Sequence, residues 1–88
     1  MAEVRLTADA AAELDALNEP IHTRVLRILE RLENWPAVSG AKPLRGDLAE
    51  YWRVRTGDYR VLFRVDDGLA SAVVIVERIG HRRDFYED

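Results

Sequence analysis

The chain contains no cysteine, which excludes disulfides, a thiolate metal site and a cysteine nucleophile. The lack fits a reducing cytoplasm. Long apolar runs are missing too. The longest, from Ala72 to Val76, is far below the ~20 residues a membrane-spanning helix needs. The N-terminus has no basic-then-apolar signal pattern, and a soluble, cytoplasmic protein is expected. Positive charge is not in excess, since the formal net charge is −3. Nucleic-acid binders are usually basic overall, because phosphate attraction supplies most of their non-specific affinity. Any such surface here must be a local basic patch on an acidic protein.

The 88 residues suffice for one compact domain, expected over 1–88. Acids and bases are unevenly placed: residues 1–50 hold nine acids and six bases, residues 51–88 seven of each. EVRL at 3–6 alternates as a short first strand should. Thr7 is placed to cap a helix through TADAAAELDALN. Pro20 fits the first turn of a second helix, capped by Asn18 or Glu19. There Ile21, Val25, Ile28, Leu29, Leu32 and Trp35 recur at helical spacing, with Arg24, Arg27, Glu30, Arg31 and Glu33 outside. Pro36 and Gly40 end that helix, and 36–50 reads as a loop with a turn at Gly46–Asp47. Strand-like runs follow at 51–56, 59–65 and about 72–79. The order β-α-α-β-β-β predicts an α+β fold, a helical hairpin packed on one face of a small, mainly antiparallel sheet.

The most informative stretch is YWRVRTGDYRVLFRV, residues 51–65. With Gly57–Asp58 as a two-residue turn, residue 56 faces 59, 55 faces 60, 54 faces 61, 53 faces 62, 52 faces 63 and 51 faces 64. Directly opposed residues share a sheet face. One face then carries Trp52, Val54, Thr56, Tyr59, Val61, Phe63 and Val65. The other carries Tyr51, Arg53, Arg55, Arg60, Leu62 and Arg64. A one-residue slip would mix the two sets. The plain reading of the second face is solvated surface. Against it, Arg55 directly opposite Arg60 costs stability, and a guanidinium fork suits phosphate. An exposed anion-binding face is therefore expected.

Residues 78–86, RIGHRRDFY, add His81, Arg82, Arg83 and Tyr86 within six positions. Histidine moves protons near neutrality, arginine holds phosphorane charge, and tyrosine stacks on bases or donates a proton. This basic end is expected to converge with the hairpin on one anion site. His22, on the second helix, reads as ordinary surface.

KPLRGDLAEYWRVRTGDYRVLFRVDD followed by RIGHRRDFY resembles the RelE/ParE superfamily of toxins from type II toxin–antitoxin systems, in its RelE branch. The resemblance runs through nearly the whole chain, and GDYRV and GHRRDFY are its specific parts. It implies a ribosome-dependent mRNA endoribonuclease (an mRNA interferase) in which a ribose 2′-oxygen attacks the adjacent phosphorus. By motif position Arg53 and Arg55 fall where the family often has lysines. Arg60 matches the arginine that steadies transition-state charge, His81 and Arg82 the basic pair after the last strand, and Tyr86 the C-terminal aromatic. These six are the expected catalytic residues, with Lys42, Arg45, Tyr51, Arg64 and Arg83 expected to bind RNA. Arginine does not lose its proton, so Arg53 and Arg55 would act electrostatically and His81 as general acid. No cofactor or metal is expected. The implied partners are a cognate antitoxin, the ribosome and mRNA. The same fold leaves two alternatives: a ParE-like inhibitor of gyrase, and an antitoxin-binding module with weak or lost catalysis.

Overall fold

The structure, a computed structural model, describes residues 1–68 and 71–84. Strand β1 (Glu3–Leu6) leads into helices α1 (Ala8–Ala16) and α2 (Ile21–Leu32). A two-residue strand β2 (Lys42–Pro43) follows, then β3 (Trp52–Thr56), β4 (Tyr59–Asp67) and β5 (Ala72–His81). The sheet order is β1-β5-β4-β3-β2. β1 runs parallel to β5, and the other pairings are antiparallel. The expected α+β architecture is present. Segment 36–50, expected to be loop, differs: it contributes β2 at the sheet edge and a 3₁₀ turn at Gly46–Leu48. Two residues are too short a run for period-two alternation to register.

Local chemistry explains the helix starts. Thr7 Oγ1 accepts a hydrogen bond from the Ala10 N–H at 3.1 Å, satisfying one of the donors a helix leaves open at its first turn. For α2 the Glu19 carboxylate accepts from both the N–H and the hydroxyl of Thr23. Those bonds hold its pKa below the usual carboxylate value.

The hairpin register is the one its turn dictates: Thr56 faces Tyr59, Arg55 faces Arg60, Val54 faces Val61, Arg53 faces Leu62 and Trp52 faces Phe63. Gly57 has φ +60°, a conformation that other residues adopt only with strain. Val54, Val61 and Phe63 are therefore buried against Val25, Ile28 and Leu32 of α2, together with Val74, Val76 and Ile79 of β5. Trp35, just past α2, meets Trp52 and Phe63 edge-on at 4.8 and 5.5 Å between ring centres. That geometry favours aromatic pairs and pins the helix end to the hairpin.

β5 is the irregular strand. Its register against β4 shifts between Leu62 and Phe63, so Phe63 faces Val76 while Leu62 faces Arg78. Glu77 is the extra residue of a β-bulge. The core positions of β5 are accordingly Val74, Val76 and Ile79, a spacing of two and then three.

Candidate phosphate-binding site

The face of the sheet away from the helices is organised in cross-strand rows. Lys42 faces Arg53, Arg53 faces Leu62, and Leu62 faces Arg78. In the next row Arg55 faces Arg60 and Arg60 faces Gly80. Opposed residues share a face, so two rows bring five cationic side chains together. Gly80 places no side chain in the third position of its row, beside Arg60.

The expectation of an exposed arginine face needs correction. Arg53 and Arg60 are only 8% and 4% exposed, whereas Arg55 lies in the open. The segment after β2 folds back over the face: the Leu44 N–H donates to the Tyr51 carbonyl, and the Tyr51 N–H to the Leu48 carbonyl. Leu44, Leu48 and Leu62 line a half-open cavity of about 210 Å³. Arg53, Arg60, Arg78 and Asp84 complete its lining, so one acidic residue stands among the three arginines. The alkyl stems of arginine pack readily on apolar surface while the guanidinium keeps its charge. A cavity of about 150 Å³ holds a benzene molecule, so this one has room for a phosphate group or a single flat ring. Such a pocket, apolar below with guanidinium groups around it, suits a phosphate carried on a less polar body.

Arg64, expected on the same anion-binding surface, is committed elsewhere. Its Nε donates to Glu77 Oε2 at 2.7 Å. That hydrogen bond, more than any other influence, raises its pKa above the ordinary guanidinium value. The acid came from the bulge of the neighbouring strand, which hairpin alternation does not reveal. Tyr51 lies just before β3 and is half-buried, while Lys42 and Arg45 are exposed.

His81 is also placed differently from expectation. It faces Tyr59 across the sheet, on the side opposite Arg60, because successive strand residues alternate faces. Its ring meets Tyr59 edge-on at 5.3 Å. Convergence with the arginines inside one pocket is therefore not what forms; His81 stands at the sheet's end. Its Nδ1 accepts from the Arg83 N–H at 3.2 Å, leaving Nε2 as the proton-bearing nitrogen of the neutral ring. Nε2 points toward Asp58 Oδ2, 4.0 Å away. Arg82 lies close by: its N–H donates to the Asp58 carbonyl at 2.7 Å, and its Nε is 3.9 Å from Asp58 Oδ1. Arg83 is exposed in the closing 3₁₀ turn, Arg82–Asp84. Tyr86 lies outside the described residues.

Arg78 and the three leucines were not among the expected site residues. Plain alternation from Val74 and Val76 puts Arg78 on the core side, and only the bulge turns it over. The V-x-V-x-x-I spacing of β5 was the available signal.

Comparison with known proteins agrees with the fold. The family described as "ParE toxin of type II toxin-antitoxin system, parDE" matches residues 4–86. The chain belongs to that toxin family. Toxin RelG of Mycobacterium tuberculosis is 37% identical over 84 residues, covering 94% of this chain and 93% of RelG. Toxin RelE of the same organism is 42% identical over 66 residues, covering 74% of this chain and 67% of RelE. The toxin–antitoxin complex RelBE2, also from M. tuberculosis, contains a chain 34% identical with TM-score 0.77; the match spans 92% of this chain and 98% of that one. Isolated Escherichia coli RelE has the same fold at 20% identity, TM-score 0.75, over 92% of this chain and 84% of RelE. These relatives place the chain on the RelE side of the family.

Proposed function

We propose that this protein is the toxin of a type II toxin–antitoxin pair and an endoribonuclease acting on mRNA at the ribosome. The observation that carries the reading is the cavity in which Arg53 and Arg60, on adjacent strands, are held together with Arg78. A positioned guanidinium stabilises charge that develops on phosphorus far better when water is excluded. The 2′-oxygen forms a bond to phosphorus as the P–O5′ bond breaks, leaving a cyclic 2′,3′-phosphate and a 5′-hydroxyl. Arg53 and Arg60 bind the non-bridging oxygens, and Arg55 meets the incoming strand from the open side. The departing 5′-oxygen takes its proton from a group that the RNA or the ribosome supplies, because His81 lies on the face of the sheet opposite Arg60. The proton of the 2′-hydroxyl leaves to a base supplied outside the arginines, which do not deprotonate.

Similarity to RelG and RelE of M. tuberculosis supports the toxin assignment, and the RelBE2 complex supports an antitoxin as partner. No helix among the described residues is long and apolar enough to cross a membrane, in keeping with action in the cytoplasm. The test is to add purified protein to translating ribosomes and map new mRNA 5′ ends. Wild type is expected to produce 5′-hydroxyl ends, and Arg60→Ala to lose them while remaining folded. Gyrase inhibition with intact mRNA would instead select the ParE-like activity.

A further inference from the structure

The arginines that line the cavity do not take up a proton, yet attack by a 2′-hydroxyl requires a base. The other lining residues are three leucines and Asp84, and of these only Asp84 has a side chain that accepts a proton. Acids elsewhere around the sheet are engaged. Glu77 accepts from Arg64 Nε, and Glu13 accepts from Arg78 Nε and the Ile79 N–H. Asp58 stands 3.9 Å from Arg82 Nε and 4.0 Å from His81 Nε2. The Asp84 carboxylate has no hydrogen bond or ion pair among the described residues. Backbone contacts set its place. At the start of the 3₁₀ turn Arg82–Asp84, the Arg82 N–H donates to the Asp58 carbonyl at 2.7 Å. The Arg83 N–H donates to His81 Nδ1 at 3.2 Å. The chain leaving β5 is thereby turned so that Asp84 joins Arg53 and Arg60 in the lining of the cavity.

We propose that Asp84 is the general base of the cleavage step, accepting the proton of the ribose 2′-hydroxyl. This rests on the reading of the protein as a ribonuclease and deepens it. The 2′-hydroxyl sits on the carbon next to the one that bears the phosphate it attacks. A phosphate received by Arg53 and Arg60 therefore brings that hydroxyl to the same cavity, within reach of a carboxylate in its lining. The O2′–H bond breaks and its proton passes to Asp84, the O2′–P bond forms, and the P–O5′ bond breaks. The departing 5′-oxygen is protonated by the RNA or the ribosome. Asp84, which is exposed, returns its proton to water, so one proton is released and one taken up.

A carboxylate beside a phosphate repels it, so neutralising Asp84 favours binding of RNA, whereas losing a base slows the chemistry. The experiment compares wild type, Asp84→Asn and Asp84→Glu in two measurements. One is binding of a short single-stranded 2′-O-methyl RNA, which cannot be cleaved; the other is the single-turnover rate of mRNA cleavage on ribosomes. Asp84→Asn is expected to bind the RNA as tightly as wild type or tighter, and to cleave about 100-fold more slowly or worse. Asp84→Glu, which keeps the carboxylate, is expected to recover most of that loss. The defect of Asp84→Asn is expected to persist on an mRNA whose scissile 5′-oxygen is replaced by sulfur, a leaving atom that needs no proton.

Cleavage by Asp84→Asn within a few-fold of wild type overturns the inference and leaves the ribonuclease reading standing. So does loss of RNA binding together with cleavage, which marks a structural role. A rate restored by the sulfur substrate also overturns it, because Asp84 then acts on the leaving group as an acid. Wild type that leaves mRNA uncut on ribosomes overturns the ribonuclease reading, and the inference with it.

Discussion

The two faces of the sheet are written by the same strands in alternate letters, yet they are closed by different means. On one face Val54, Val61 and Phe63 meet an amphipathic helix, and burial is apolar throughout. On the other, Arg53 and Arg60 are also buried, and Leu44 and Leu48 of a short loop line the cavity with them. The first face stabilises the fold. Burying guanidinium groups side by side contributes little to stability and can oppose it. The second face is the one we propose for the ligand.

Substitutions should separate the two faces, beginning with the largest effect. Phe63→Ala, at a fully buried core site, is expected to cost about 3–5 kcal/mol in chemical denaturation, a large share of a small domain's stability. Arg60→Met is expected to lower ribosomal cleavage at least about 100-fold, the scale of losing one transition-state contact. Its denaturation midpoint should fall less far than that of Phe63→Ala. A midpoint falling as far as that of Phe63→Ala would erase the distinction between the faces.

Thr7→Ala removes both the α1 cap and the hydroxyl bond to Glu77, and is expected to cost about 1 kcal/mol without a direct effect on RNA binding. The smallest effect concerns Glu19. Because its folded pKa is depressed, its contribution is present above the unfolded carboxylate value and fades as pH falls through the folded one. Glu19→Gln should therefore flatten that part of the acid limb of a melting curve, checked by thermal denaturation across the acidic range.

The fold was largely legible because its main instructions are periodic. Two-residue alternation around Gly57–Asp58 gave the hairpin register, and the i, i+3, i+4 pattern of Val25, Ile28, Leu29 and Leu32 gave α2. The site was legible only in part, because its closure is not periodic. Leu44 and Leu48 lie in a loop held by backbone bonds to Tyr51, which no spacing announces. The bulge at Glu77 moved Arg78 onto the arginine face and supplied Arg64 with its acid. Strand parity, followed one residue further, places His81 beside Tyr59 rather than among the arginines. Alternation finds a face; what covers that face depends on contacts between segments distant in sequence.

The central claim is that Arg53 and Arg60 together receive one backbone phosphate. The most direct measurement follows the Nε–Hε resonances of all the arginines by NMR while an uncleavable single-stranded RNA is added. The resonances of Arg53 and Arg60 are predicted to shift in concert, with one saturation curve, while those of Arg5, Arg24 and Arg27 stay near their starting positions. If the distant arginines respond and the pair in the cavity does not, the claim is contradicted.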